Sequence, residues 1–254
     1  MLLEDKTAVI YGGAGAVGGA VARAFGREGA RVFLAGRTLA TLDAVAEEIR
    51  SAGGAAQTAQ VDALDGEAVD RHADAVAAEA GGIDVSFNLI AHPYTHGTPL
   101  AEMDVDDFMA PVETAARTTF LTVRAAARHM IGQRAGVILA FGGPGDRSGP
   151  AREYNLGGTQ VAFDAIETMR RQYSVELGKH GIRFVTLSSG GIPETLPEGF
   201  DGREEIVGMI EAETLLGRAA TLEDVGHAAA FAASDRARSM TAAIINVSGG
   251  ALVD

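Results

Sequence analysis

The chain of 254 residues has no cysteine and no tryptophan, and aromatics are 6% of it. Without cysteine there is no disulfide, no thiolate nucleophile and no cysteine-held metal, a composition that fits the cytoplasm. Lysine is nearly absent: Lys6 and Lys179 are the only two, and arginine carries the remaining positive charge. Any chemistry that needs an ammonium in the middle of the chain is therefore excluded. The net charge of -13 argues against nucleic acid and anionic membranes as partners. No apolar run approaches a membrane span, and the short acidic start does not resemble a signal sequence.

Apolar runs that stop at glycine, alternating with amphipathic stretches, fill most of the chain. Short buried strands are expected at 7–11, 31–35, 55–62, 84–91, 136–142, 182–189 and 242–249. Helices are expected after the first strand, with Val17, Val21, Ala24 and Phe25 on one face, and at 39–53, 65–80, 112–131 and 159–179. Strands alternating with helices imply a parallel sheet covered on both faces. The expected fold is α/β, a single Rossmann-type doubly wound domain over 1–254 with about seven strands. Irregular stretches at 142–158 and 190–203 follow strands, so they belong at the carboxyl edge, where such sheets bind ligands.

The segment YGGAGAVGG joins the first strand to the first helix. Gly13, Gly15 and Gly18 have the G-x-G-x-x-G spacing, which allows a tight turn and a close approach of backbone to phosphate. The helix start then offers free N–H groups and the positive end of a dipole. At the end of the second strand an NAD site usually carries an acid. Here Gly36 is followed by Arg37, which can pair with a 2′-phosphate, so NADP(H) is favoured over NAD(H). Val61 and Asp62 end the third strand. Asp62 is placed to bond the adenine amino group or to cap helix 65–80.

The chain resembles the short-chain dehydrogenase/reductase family along nearly its whole length. The family's T-G-x-x-x-G-x-G appears as YGGAGAVG, keeping Gly12 and Gly18. Its N-N-A-G appears as NLIA, keeping Asn88. Its proline-glycine segment appears as SGGIPET, and the closing segment 216–254 matches throughout. The resemblance implies a nicotinamide cofactor held by Gly12, Gly13, Gly15, Val17, Gly18, Arg37, Val61, Asp62, Asn88 and Ile192, the last through its backbone amide. It also implies a small-molecule substrate, a lid over 190–215, and a homodimer or homotetramer built on helices 112–131 and 159–179.

The family's catalytic asparagine, serine, tyrosine and lysine do not follow. Counting from well-matched flanks puts Ala115, Gly142, Thr159 and Phe163 at those positions. Lysine's loss does not depend on the count, since none lies between Lys6 and Lys179. Without a nearby ammonium, a tyrosine keeps a pKa of about 10 and is a poor base near neutrality. Tyr154, with Gly158 four residues on, is the candidate catalytic residue, either a recruited proton donor or a loop aromatic that covers the pocket or packs at a subunit contact. His92 and His96, near the pocket mouth, are weaker candidates, proton shuttles or, as the better reading, ordinary loop histidines. Pro93 between them makes a helical i,i+4 metal pair a poor reading. Ser148 and Arg152 are candidate anion binders or solvated loop residues. The sequence favours a reductase with a rebuilt proton donor, against a nucleotide-binding protein without turnover or a non-redox enzyme.

Overall fold

A computed structural model of the protein describes residues 1–93, 95, 97–142, 156–199 and 201–253. The strands are β1 (Thr7–Tyr11), β2 (Arg31–Gly36), β3 (Ala55–Gln60), β4 (Val85–Asn88), β5 (Gly136–Phe141), β6 (Ile182–Ser188) and β7 (Ala243–Asn246). They form one sheet in the order β3-β2-β1-β4-β5-β6-β7, and every neighbouring pair is parallel. The order reverses between β1 and β4. Strands on either side of that point send their following segments to opposite faces, leaving a crevice at the carboxyl edge.

The helices are α1 (Ala16–Arg27), α2 (Leu39–Ser51), α3 (Gly66–Ala80), α4 (Val105–Gln133), α5 (Gly158–Gly178), α6 (Arg203–Ala212) and α7 (Leu222–Ala233). Alternation along the central strand separates two cores. Ala8 and Ile10 of β1 face one side with Val21 and Phe25 of α1, Leu42 of α2 and Val225 of α7. Val9 and Tyr11 face the other, with Val76 of α3, Met130 of α4 and Ile166 of α5. Both faces are covered, so the central strands are mostly apolar. The edge strand β3 is built from Ala, Gln and Thr and is half exposed.

Several elements differ from expectation. Helix α4 starts seven residues earlier than 112 and runs through Pro111. That proline is the helix's seventh residue, beyond the first turn, so it forfeits the bond to the Asp107 carbonyl and its ring crowds that carbonyl. Helix α7 lies in an alanine-rich segment for which no helix was expected. Its start is fixed by a capping box: Thr221 accepts from the Asp224 amide, and the Asp224 carboxylate accepts from the Thr221 amide. Arg183 of β6 then donates to the carbonyls of Ala232, Ser234 and Met240, tying the end of α7 to the sheet. The expected irregular stretch from 190 holds a 3-10 turn at Pro193–Thr195 and then α6. No helix among the described residues is long and apolar enough to cross a membrane.

Candidate functional site

The glycine loop meets β4 at the crevice. Gly12 has φ +79°, the left-handed region that suits glycine, and a Cβ there would strike the Leu89 carbonyl that follows β4. Gly18 lies on α1 with its Cα against the Gly12 carbonyl, again without room for a Cβ. Gly13 is held against Leu34, whose Cδ2 would be 2.7 Å from an added Cβ. These three glycines let strand, loop and helix pack closely. Gly15 differs: its added Cβ would find only the Gly12 carbonyl, at an ordinary 3.5 Å. It is exposed, sits at the N-cap of α1 and supplies no side-chain cap, and the first turn of α1 carries no acid. The free amides and positive dipole end of α1 are thus left for an anion.

A cleft of about 720 Å³ runs along this edge, lined by Gly12, Gly15, Arg37, Asp62, His92 and Thr118 among others. The Arg37 side chain is exposed and, among the described residues, makes no ion pair; its carbonyl accepts from Gln60 Nε2 at 2.9 Å. Asp62 Oδ1 accepts from the Leu64 amide at 3.0 Å. Asp62 is not the cap of α3. Asp65 is, accepting from the amides of Glu67 and Ala68. Asp65 lies immediately before the first helical residue, where a cap must sit, while Asp62 lies three residues too early.

The remaining expected cofactor residues stand behind the cleft wall. Val61 is buried, and its amide donates to the Gly36 carbonyl at 2.9 Å. Val17 packs against the first core. Asn88 Nδ2 donates to Thr118 Oγ1 at 3.0 Å and, more weakly, to Thr119 Oγ1 at 3.4 Å. Its Oδ1 accepts from the Ile90 amide at 3.0 Å. Asn88 therefore clamps the exit of β4 to α4 and fixes the chain that leads to His92. Ile192 is buried, and its carbonyl accepts from the Thr195 amide and hydroxyl.

The four positions given by the resemblance can be placed individually. Ala115 is fully buried on α4. Thr159, in the first turn of α5, is buried with its hydroxyl unpartnered. Phe163, one turn on, lies against Gly142 at the end of β5: a Cβ at Gly142 would be 2.9 Å from Phe163 Cδ1. The His92 ring lies 6.1 Å from the Phe163 ring, centroid to centroid. Gly158 has its Cα against the Phe108 carbonyl of α4, with no room for any side chain. Tyr154, His96, Ser148 and Arg152 lie outside the described residues.

Two buried features have no forewarning in the sequence. Tyr11, where the family carries threonine, is buried, and burial with the nearby Asp70 charge raises its pKa. It packs edge-on against His72 at 5.8 Å. On α5, Glu167 and Arg170 form an ion pair at 2.7 Å with side chains 4% and 5% exposed. Glu167 Oε1 and Arg170 Nη1 are left without partners.

A glycine-lined crevice at the switch point of a parallel sheet, below an uncapped helix start, defines a dinucleotide-binding protein. The chain belongs to the short-chain dehydrogenase/reductase family and is an oxidoreductase of that type: the family model described as "Enoyl-(Acyl carrier protein) reductase" matches residues 12–251. The chain is 32% identical over 248 residues to "Oxidoreductase asL5" of Sarocladium schorii, covering 98% of this chain and 96% of that one. It is 30% identical over 254 residues to "Uncharacterized oxidoreductase YxbG" of Bacillus subtilis (strain 168), covering 98% and 91%. Among solved structures, an NAD+-bound xylitol dehydrogenase superposes with TM-score 0.88 at 21% identity, covering 98% of this chain and all of that one (100%), a likeness of fold.

Proposed function

We propose that the protein is an NADP(H)-dependent oxidoreductase that reduces a small activated C=O, C=C or C=N group with a non-standard set of proton-transfer residues. The observation that carries this reading is the contrast within the one site. Gly12, Gly15, Arg37 and Asp62 line a single cleft, and the count from the matched flanks assigns Ala115, Gly142, Thr159 and Phe163 to the family's catalytic positions. On that count the nucleotide half is kept and the acid–base half is changed.

A bound nicotinamide supplies or accepts hydride; the chain must hold it and handle the proton. The amides of the first turn of α1 bind the pyrophosphate, with Gly15 giving it access. Arg37 pairs with the 2′-phosphate, and the absence of a carboxylate at Gly36 removes the repulsion an acid would exert there. Gly142 cannot polarise a carbonyl oxygen as a serine would, and Phe163 supplies no charge to acidify a phenol. Acceptors that already withdraw electrons need less of that help. Tyr154 is the candidate proton donor of this reading. Helices α4 and α5 carry exposed Val105, Met109, Phe120 and Val161, which supports a homodimer or homotetramer assembled through them.

Titration with NADPH and NADH, followed by NADPH oxidation assays on ketone, enone and imine panels, tests this reading. Tight NADPH binding with no turnover on any panel would make the protein a redox-inactive nucleotide binder instead. Arg37→Ala is expected to weaken NADPH much more than NADH, and equal loss removes its phosphate role. Unchanged turnover in Tyr154→Phe removes that residue.

A further inference from the structure

We propose that His92, in place of Tyr154, is the proton-transfer group of this site, an inference that rests on the oxidoreductase reading above and replaces only its proton donor. Four observations meet at this side chain. It lies on the wall of the nucleotide cleft, four residues beyond the end of β4. Its ring faces Phe163 of α5 at 6.1 Å, and Phe163 in turn fills the space beside Gly142. His92 thus occupies the corner shared by three elements at which the family's serine and lysine positions fall. Among the described residues it makes no hydrogen bond. The chain leading to it is anchored two and three residues before. The Leu89 amide donates to Tyr11 O at 2.8 Å and the Ile90 amide to Asn88 Oδ1 at 3.0 Å.

The surroundings of the ring keep it neutral. Burial lowers its pKa below the ordinary histidine value. Phe163 faces it from α5, and the α4 residues on the cleft wall are Thr114 and Thr118, both uncharged. Among the described residues, the other ionisable groups on the wall are Arg37 and Asp62. They follow β2 and β3, two and three strands away from β4 in the sheet. A neutral imidazole is a base near neutral pH, which a phenol without an ammonium partner is not.

For alcohol oxidation the step balances as follows. An imidazole nitrogen would take the hydroxyl proton as the O–H electron pair becomes the carbonyl π bond, and an oxidised nicotinamide, when bound, would supply the acceptor for the C–H pair leaving as hydride. In reduction the imidazolium returns its proton to the substrate oxygen. Oxidation should therefore rise with pH through the His92 pKa and then level off. Reduction should fall over the same range.

The test uses the full chain with His92→Ala and His92→Gln. Both are expected to bind NADPH with wild-type affinity by nucleotide fluorescence, while turnover falls by about 10²–10⁴-fold. Free imidazole should restore part of the His92→Ala activity and none of the His92→Gln activity. In the protein without nucleotide, the NMR resonance lost in His92→Ala should titrate below about 6.5. Wild-type turnover that survives unchanged in both variants overturns the proposal and leaves the oxidoreductase reading intact. A His92 resonance titrating at or above the ordinary value overturns it as well, because the ring then stands in water. No turnover in the wild type defeats both readings, and NADPH fluorescence then tells whether nucleotide binding remains.

Discussion

Replacing Glu167 with leucine would leave the Arg170 guanidinium buried on α5 without its carboxylate. The two side chains are 4% and 5% exposed and joined by bonds of 2.7 and 2.9 Å, so solvent can compensate little. Removing one partner of a buried pair costs about 3–5 kcal/mol. For a chain of this size each kcal/mol moves the melting temperature by roughly 2–4 °C, so Glu167→Leu should melt about 6–20 °C lower. The pair already leaves Glu167 Oε1 and Arg170 Nη1 unpartnered, so its net worth against an apolar filling is small. The double variant Glu167→Leu/Arg170→Met should therefore recover most of the loss, ending within about 2 kcal/mol of wild type or above it. Thermal and urea unfolding of wild type, both singles and the double form a complete cycle. A Glu167→Leu protein within about 1 kcal/mol of wild type, or a double variant no better than the single, would refute the reasoning.

The glycine loop separates packing from binding. Gly18→Ala should destabilise the fold by about 1–3 kcal/mol, because its Cβ meets the Gly12 carbonyl. Gly15→Ala should leave unfolding unchanged and weaken NADPH binding, as measured by fluorescence titration. His72 is buried, and desolvation pushes its pKa down to about 4. Above pH 6.5 the ring is neutral in both the folded and the unfolded chain. As pH falls from 6.5 to 4, only the unfolded chain takes up the proton, so stability drops by about 1.4 kcal/mol per unit, about 3 kcal/mol in all. Urea unfolding across that range should show this slope, and His72→Leu should flatten it.

The sheet was legible because strands buried on both faces are apolar runs ending at glycine. The phosphate loop was legible because Gly12 and Gly18 are steric requirements of the strand–loop–helix unit, with or without a ligand. Other features depend on partners far along the chain. The helix expected from 112 begins at Val105 and runs through Pro111, a residue type that normally ends or kinks a helix. Arg183 looks like an ordinary strand charge, but it gathers three carbonyls, of Ala232 and Ser234 at the end of α7 and of Met240 in the segment that follows. Glu167 and Arg170 have the spacing of a solvated helix pair and are buried by α5's setting in the fold. His92 follows a strand like any loop histidine, and only the three-dimensional meeting with Phe163 and Gly142 gives it weight. At the adenine end, Asp62 was one reading for the cap of α3, but the cap is Asp65, three residues on and directly before the first helical residue.

The contacts around Phe163 dictate the order in which a conventional active site could be rebuilt in this chain. Serine cannot be installed at 142 first, because φ is +146° there and a Cβ would meet the Phe163 ring. Lysine cannot be installed four residues after Tyr154 at all, because Gly158 touches the Phe108 carbonyl. An engineer would have to open position 163 before touching 142, and every intermediate on that route carries either a void or a collision.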